Sequence, residues 1–189
     1  MQTRHPSHLR AALFFTTAAL IGGCVDNPPV PPVARVDLQR FMGPWYVIAS
    51  IPSFPERDAY NALETYALAG DGKVQTEFRY RRGSFDAEEK TMHPVGTVVP
   101  DSNNAVWGMQ FIWPIQAEYI IADLDPEYRD VIVARSRRDY VWIMARTSQI
   151  TSARYEQLVA KVAQLGYDTA KLRQVPQLWP AAAAVHSAK

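Results

Sequence analysis

Histidine and cysteine, which often act as nucleophiles, general bases or metal ligands, are scarce in this chain. Of the four histidines, only His93 lies in the predicted folded region, and the others are His5, His8 and His186. No Gly-x-Ser-x-Gly motif accompanies His93, and a single histidine cannot assemble a histidine metal site. The sequence therefore predicts that the protein is not an enzyme and uses no metal or cofactor.

The single cysteine, Cys24, follows a targeting segment. After a basic start, the apolar stretch 11–20 is too short to cross a hydrocarbon core, which needs about 20 residues, and indicates a signal peptide at 1–23. The run Leu20-Ile21-Gly22-Gly23-Cys24 resembles the lipobox of bacterial lipoproteins, in which the cysteine is lipidated and becomes the mature N-terminus. The alternative is a free thiol beside a chance signal-like run.

The lipobox resemblance implies lipid attachment at Cys24 and a membrane as partner. Each buried acyl methylene contributes about 0.8 kcal/mol, so several chains together anchor a protein firmly. Val25, rather than aspartate, follows the cysteine and favours the outer membrane, at its periplasmic face. Residues 24–35 are predicted to be the lipidated N-terminus and a tether, with the proline-rich run 27–33 a stiff spacer of about 20 Å. Recognition of this run by a proline-binding module is the alternative.

The remaining chain has the composition of one globular domain. Its 189 residues are 48% hydrophobic and 11% aromatic, which suits a single sizeable core. The net charge of +1 indicates no general attraction to nucleic acid. We expect a folded domain at 36–176 and a disordered tail at 177–189.

Short β-rich runs separated by turn residues begin at Trp45. Eight are predicted to be strands: 45–51, 61–68, 73–81, 90–99, 105–112, 117–123, 130–134 and 140–146. Short connections favour sequential hairpins, and such a meander hides its edges by closing on itself. The predicted fold is all-β, an eight-stranded antiparallel up-and-down barrel with a C-terminal α-helix packed on its outside. One helical turn at 37–41 precedes the strands. The C-terminal helix, which Thr151 caps, follows the eight strands. A short strand at 171–175 comes after the helix and is expected to lie near the first strand.

The strand order separates the two ends of this barrel. The start of the first strand, every second connection and the end of the last strand lie together at one end. That end collects Gly43, Trp45 and Arg146, and closure brings the Arg146 guanidinium onto the Trp45 indole, a contact that contributes about 0.5 to 2 kcal/mol. The longer connections at 52–58, 82–87, 113–116 and 136–139 form an open mouth at the other end.

Three segments resemble the conserved regions of the lipocalins: Gly43-x-Trp45, 123–129 and 140–147. With the lipobox, they are most similar to the bacterial lipocalins, outer-membrane lipoproteins akin to apolipoprotein D. The resemblance covers 36–175 and implies binding, storage or transport of a small hydrophobic ligand. Fatty acids and lysophospholipids are the ligands implied for bacterial members.

Candidate ligand contacts depend on the strand register. If Trp45 and Arg146 fix the inward face, the inward positions on the first and last strands are Val47, Ala49, Ile51, Trp142 and Met144. With the family pattern, the predicted ligand contacts are Ala49, Tyr66, Phe78, Met109, Phe111, Tyr119, Ile121 and Trp142. For each aromatic residue the alternative is packing without ligand contact. Candidates for binding a ligand headgroup near the mouth are Tyr119, Arg57, Arg79, Arg81 and Arg82.

An envelope interaction lipoprotein is the second function that the sequence allows. An eight-stranded barrel can be filled by side chains instead of holding a ligand. The barrel would then be a scaffold, and the Phe54 and Trp113 loops would contact a partner. Whether two barrels pair as a homodimer is left open by the sequence.

Overall fold

The computed structural model describes residues 28–179, so Cys24 and the segments 1–27 and 180–189 lie outside it. The helices and strands are, in order, α1 (Leu38–Phe41), β1 (Gly43–Ile51), β2 (Ala59–Leu68), β3 (Lys73–Arg82), β4 (Glu89–Met92), β5 (Val95–Val98), β6 (Val106–Ile112), β7 (Ile115–Leu124), β8 (Asp130–Ala134), β9 (Val141–Ala145), α2 (Ser152–Gln164) and β10 (Arg173–Gln174). A 3-10 turn, Phe54–Glu56, follows β1, and a second one, Thr169–Lys171, precedes β10.

The strands form a closed antiparallel barrel. Neighbours follow the order β1-β2-β3-β5-β6-β7-β8-β9, β4 also pairs with β3, and β9 returns to pair with β1. The strand predicted at 90–99 is interrupted at His93 and Pro94, because a proline has no N–H to donate to the ladder. With β4 and β5 counted as one interrupted strand, the barrel has the eight strands that the sequence predicts.

Tight turns close one end of the barrel. Asp71, Asn103 and Tyr128 have positive φ values of 62°, 51° and 58°. Among non-glycine residues, Asp and Asn adopt this left-handed conformation most readily. In the β7–β8 turn the buried Asp125 carboxylate accepts a hydrogen bond from Arg129 Nη2 at 2.8 Å. Hydrogen bonds from the Arg129 side chain lower the pKa of Asp125 to about 2. This turn is therefore fixed by a charged pair at neutral pH.

A bulge in β1 changes which residues face the interior. Against β9, Val47 pairs with Met144, whereas Ala49 pairs with Ile143, so one extra residue separates successive pairs on β1. Since side chains alternate along a strand, the extra residue moves those that follow it to the opposite face. Ala49 and Ile51 therefore lie in the apolar layer outside the barrel, and the prediction that they point inward was wrong.

Helix α2 packs on the outside of the barrel, as predicted. Thr151 caps it by accepting a hydrogen bond from the backbone N–H of Arg154 at 3.2 Å. Leu158 and Val162 are fully buried in the outer apolar layer. Arg154 Nη2 also lies 2.6 Å from an oxygen of the buried Asp130 carboxylate, which ties the helix to β8. Across residues 28–179, no helix has both the length and the apolar character needed to cross a membrane.

The chain before α1 also packs on the barrel. Val30 is buried in the outer apolar layer, and the Val33 N–H donates to the Ile121 carbonyl at 2.9 Å. The segment predicted to be a spacer is therefore part of the domain from Val30 onward. An extended proline-rich chain can run along a strand and present its valines to an apolar surface, which composition alone does not reveal.

The chain after α2 returns to β1. Strand β10 pairs with β1, as predicted, and the pairing is antiparallel. Gln177 Nε2 donates to the Val47 carbonyl at 2.7 Å, and the Trp179 ring meets that of Tyr46 edge-on at 5.3 Å. The tail expected to be disordered from residue 177 is thus ordered through Trp179.

Candidate functional site

Arg146 and Trp45 meet at the closed end of the barrel. The guanidinium carbon of Arg146 lies 3.8 Å from the centroid of the Trp45 ring, so the contact predicted from closure is confirmed. Gly43 lies beside it with φ of 91°, and a Cβ at that position would be 3.5 Å from Arg146 Nη1. Glycine suits this position because it alone adopts such a conformation without strain.

Arg146 also joins the end of β9 to the chain around α1. Its Nη1 donates to the Pro44 carbonyl at 2.8 Å, and its Nη2 donates to the Arg40 carbonyl at 2.7 Å. A further bond from Nη2 reaches the Phe41 carbonyl at 3.0 Å, which also accepts from Trp45 Nε1 at 2.8 Å. Burial lowers the pKa of Arg146 to about 10, so the guanidinium stays cationic at neutral pH. These contacts are structural.

A layer of aromatic rings fills the closed half of the interior. Trp107 stacks on Tyr119 with centroids 5.0 Å apart, and Phe41 meets Trp107 edge-on at 5.3 Å. The Tyr66 and Tyr119 hydroxyls are hydrogen-bonded at 2.7 Å. This aromatic layer separates the closed half of the interior from the open half. In this half the barrel is filled by side chains, as the sequence allows for an eight-stranded barrel.

The open half of the barrel contains a cavity of about 290 Å³. Its apolar wall includes Phe78, Met92, Met109, Ala117, Tyr119 and Trp142. Its polar lining consists of Ser53, Glu56, Glu64, Thr76, Glu118 and Arg135. Among the described residues, the loop after β1 and the one between β8 and β9 frame the opening, which is the mouth expected from the strand order.

Glu64, on β2, lies at the inner end of this cavity beside the aromatic layer. The Tyr66 hydroxyl donates to its Oε2. Burial, with a smaller contribution from the charge of Glu56, raises the pKa of Glu64 to about 8. The carboxyl is therefore mostly protonated at neutral pH. Burial, together with the charge of Glu64, also raises the pKa of Tyr119.

Glu56 places a second carboxyl nearer the mouth. Ser53 Oγ donates to Oε1 at 2.7 Å, and Trp142 Nε1 donates to Oε2 at 2.8 Å. Burial raises the pKa of Glu56, and these two hydrogen bonds act in the opposite direction. The bond from the indole holds the Trp142 ring in the cavity wall.

Two further polar side chains border the cavity. Thr76 is 3% exposed, and its Oγ1 has no hydrogen-bond partner within residues 28–179, an arrangement that is rare for a buried hydroxyl. Arg135 Nη1 lies 3.2 Å from an Asp139 oxygen, and its guanidinium is 5.2 Å from the Tyr140 ring centroid. In the described part of the chain, no group of three or more His, Cys, Asp and Glu side chains is placed to hold a metal.

Large apolar side chains are exposed around the mouth. We call Phe54, Phe111, Ile112, Trp113 and Ile115 the apolar rim. Trp113 is 82% exposed and Ile112 is 73% exposed, both at the tip of the β6–β7 hairpin. Large apolar side chains exposed near a cavity opening are candidates for interaction or ligand binding.

A family model described as a lipocalin-like domain matches residues 36–177. The chain belongs to the lipocalin family. It is 31% identical over 157 residues to temperature-induced lipocalin-1 of Arabidopsis thaliana, covering 77% of this chain and 81% of that protein. It is 29% identical over 170 residues to the outer membrane lipoprotein Blc of Escherichia coli K12, covering 86% of this chain and 93% of that protein.

Solved lipocalin structures share the architecture. Insecticyanin from the tobacco hornworm Manduca sexta superposes with a TM-score of 0.59 at 17% identity, covering 78% of this chain and 84% of that one. Apocrustacyanin C1 superposes with a TM-score of 0.61 at 11% identity, and the match covers 76% of this chain and 81% of that one. At such identities the comparison supports the fold alone.

The lipocalin cavity brings together five of the eight predicted ligand contacts: Phe78, Met109, Phe111, Tyr119 and Trp142. Tyr66 belongs to the aromatic layer, and Ile121 is buried in the interior without bordering the cavity. Ala49 lies outside the barrel because of the β1 bulge. Its selection as a ligand contact was therefore wrong.

The predicted headgroup arginines do not border the cavity of this lipocalin: Arg57, Arg79, Arg81 and Arg82. Arg79, for example, lies 3.2 Å from the Glu77 carboxylate. Tyr119 does border the cavity, but at its inner end rather than near the mouth. The basic side chain that borders the mouth is Arg135.

Sequence reasoning missed Glu56, Glu64, Thr76 and Arg135 as cavity residues. One signal was available for Glu64, which lies two positions before Tyr66 on the same predicted strand. If Tyr66 faces inward, Glu64 does as well. A glutamate at an inward position of a barrel requires a partner or a raised pKa.

Proposed function

We propose that this lipocalin binds one small amphiphilic ligand, such as a fatty acid or a lysophospholipid, in the open half of its barrel. The observation that carries the proposal is the cavity of about 290 Å³ that has a mainly apolar wall and opens at the mouth. Ligand pockets are typically concave and apolar, with a few placed polar groups. The proposed ligand contacts are Phe78, Met109, Phe111, Tyr119 and Trp142.

The size of the cavity limits how much of a ligand it can enclose. An engineered cavity of about 150 Å³ in another protein holds one benzene molecule. A cavity of 290 Å³ therefore has room for about twelve carbon atoms on the same scale. A longer acyl chain would continue through the mouth and contact the apolar rim, which gives Phe54 and Ile112 a role in ligand binding.

We also propose that the protein is anchored in the outer membrane through acyl chains on Cys24, after removal of residues 1–23. Several relatives are named outer membrane lipoproteins, and the lipobox-like run ends at the single cysteine. Metabolic labelling with palmitate should mark the wild type but not Cys24→Ala. Equal labelling of both would contradict this attachment site.

Filling the cavity tests ligand binding directly. In Ala117→Phe a ring would occupy the cavity, because Ala117 borders it from β7. Displacement of a fluorescent fatty-acid probe should show affinity at least about tenfold weaker in this variant, since the space for the acyl chain is lost. The matched control is Ala67→Phe at an exposed position of β2. Equal affinity in wild type and Ala117→Phe would contradict the proposed site.

An interaction role is the second candidate, and the exposed apolar rim favours it. This rim could join two barrels or bind an envelope partner through Trp113 and its neighbours. For pairing of two copies, light scattering should find a dimer that becomes monomeric in the double variant Ile112→Ser, Trp113→Ser. A wild type that stays monomeric at high concentration would rule out pairing through the rim.

A further inference from the structure

We propose that the inner end of the cavity binds a cationic nitrogen, a quaternary ammonium or protonated amine, carried by the amphiphilic ligand, with Glu64 as its counter-ion. This inference rests on the proposed function and names the polar group of the ligand, and it favours an amphiphile with a cationic nitrogen over the fatty acid considered there. The alternatives at this position are a carboxylate or an uncharged hydroxyl. Three features of the cavity distinguish among them.

The first feature is the charge of the lining. The charged or titratable groups that border the cavity with Glu64 are Glu56, Glu118, Arg135, Tyr119 and Tyr140. The carboxyl groups that face inward are Glu56 and Glu64, because Glu118 is exposed on the opposite face of β7 from Tyr119 and accepts a hydrogen bond from Ser136. Arg135 Nη1 lies 3.2 Å from the Asp139 carboxylate, and its buried Nε has no hydrogen-bond partner within residues 28–179. At the inner end a ligand carboxylate would therefore meet Glu64, whereas Arg135, the guanidinium of the lining, borders the mouth. Like charges at close range disfavour ionisation, whereas a cation is stabilised.

The second feature is unused hydrogen-bonding capacity at the inner end. Within residues 28–179, the hydrogen bond that reaches Glu64 comes from Tyr66 to Oε2, which leaves Oε1 without a donor. Thr76, on the adjacent strand β3, borders the same space and has an unpartnered Oγ1 although the residue is 97% buried. A buried hydroxyl of this kind can accept from an N–H of a protonated amine or lie against the methyl groups of a quaternary one.

The third feature is the aromatic character of the wall. Phe78, which pairs with Glu64 across β2 and β3, and Tyr119, which is hydrogen-bonded to Tyr66, border the inner end of the cavity. Phe111, Tyr140 and Trp142 border it nearer the mouth. The face of an aromatic ring attracts a cation, and desolvated sites strengthen this attraction. Aromatic side chains are a recurring arrangement for binding quaternary ammonium groups. A ligand carboxylate gains nothing comparable from the faces of these rings.

Binding of a cation is coupled to loss of the proton from Glu64. The carboxyl releases its proton to solvent as the cation arrives, so a neutral acid and a free cation become an ion pair and a solvated proton. Because the pKa of Glu64 is about 8, this release costs affinity below pH 8. Between pH 6.5 and 8.5 the affinity for a permanent cation should rise about 25-fold. An alcohol of equal chain length should show no comparable change.

The test compares three ligands of equal chain length on the purified, delipidated full chain: decyltrimethylammonium, decanoate and decanol. Isothermal titration calorimetry at pH 6.5 and 8.5, in buffers of different ionisation enthalpy, gives both affinity and proton release. We expect the cation to bind at least about tenfold tighter than decanoate at pH 8.5, with close to one proton released per cation at pH 6.5. Decanol should release none.

Variants identify the group that loses the proton. Glu64→Gln should weaken binding of decyltrimethylammonium at least about tenfold at pH 8.5 and abolish proton release, while decanol affinity stays within about threefold. The control Glu77→Gln removes a carboxylate on β3 that does not border the cavity. It should change neither the affinity for decyltrimethylammonium nor the proton release. The wild-type proton release is informative even if Glu64→Gln does not fold.

Two results would overturn the proposal. Decanoate binding at least as tightly as the cation at pH 8.5 would exclude the proposed polarity of the site. Cation binding without proton release from the wild type would exclude Glu64 as the counter-ion. Both results leave the apolar ligand site intact if decanol binds. Failure of all three ligands would reject the proposed function together with this inference.

Discussion

Replacing Arg146 with alanine should destabilise the barrel without changing its ligand site. The guanidinium lies 3.8 Å from the Trp45 ring centroid and donates to the Pro44, Arg40 and Phe41 carbonyls. Alanine would remove these four contacts and a longer hydrogen bond from Nε to the Tyr128 carbonyl at 3.4 Å. The same side chain is separated from the cavity by the aromatic layer, so the structure predicts that stability and ligand affinity respond differently.

The magnitude follows from these contacts. A partly desolvated cation–π contact contributes about 1 to 2 kcal/mol. Hydrogen bonds to a charged donor contribute about 1.5 to 3 kcal/mol each, although water can replace part of them because Arg146 is only half-buried. Allowing for this and for non-additivity, we expect a loss of about 3 kcal/mol. For a domain of this size that corresponds to a fall in Tm of about 6 to 12 °C.

Thermal and urea unfolding monitored by circular dichroism measure this loss. Arg146→Lys, which keeps the charge but not the planar group, should lie between wild type and alanine. The control Arg137→Ala removes an exposed arginine whose nearest carboxylate oxygen is 3.9 Å away and should change stability by less than about 0.5 kcal/mol. A loss below 0.5 kcal/mol for Arg146→Ala would refute the structural role of this contact.

Three further predictions concern the cavity and the outer layer. The pKa of Glu64 is raised from 4.5 to about 8 in the folded protein, so its contribution to stability is complete below pH 4.5 and is lost as the pH rises through 8. Between pH 4.5 and 8 the free energy of unfolding of the wild type should fall by up to about 1.4 kcal/mol per pH unit because of Glu64, and Glu64→Gln should remove this slope. Urea unfolding at several pH values measures it. Ala49→Phe should lower the free energy of unfolding by about 1 to 3 kcal/mol because it overpacks the outer apolar layer, and it should leave ligand affinity unchanged. Weaker ligand binding would place Ala49 inside the barrel. Val30→Ala should cost about 1 to 2 kcal/mol, and an unchanged Tm would show that the N-terminal segment adds nothing to stability.

The contact between Trp45 and Arg146 was predictable because it depends on few assumptions. Once the strands are sequential and antiparallel, the ends of the first and last strands must meet at one end of the barrel. Closure of the sheet then brings the two side chains together whatever the details of the loops. The helix packed outside was predictable for a similar reason, since its apolar stripe follows from the helical period alone.

The inward residues were harder to predict because register depends on each pair of strands. The bulge between Val47 and Ala49 inserts one residue, and counting every second position beyond it gives the wrong face. Glu64 was missed because glutamates are usually solvated, and its burial reflects the whole closed barrel. The docking of Val30 depends on the outer apolar layer, which exists only after the strands have paired.

The measurement that tests the central claim most directly is native mass spectrometry of the full-length lipocalin purified from its own envelope. We predict one small acyl-chain ligand per wild-type chain, and none on Ala117→Phe prepared in parallel. Wild-type protein without ligand, or the same ligand load on both proteins, would contradict the assignment of the open half of the barrel as the binding site.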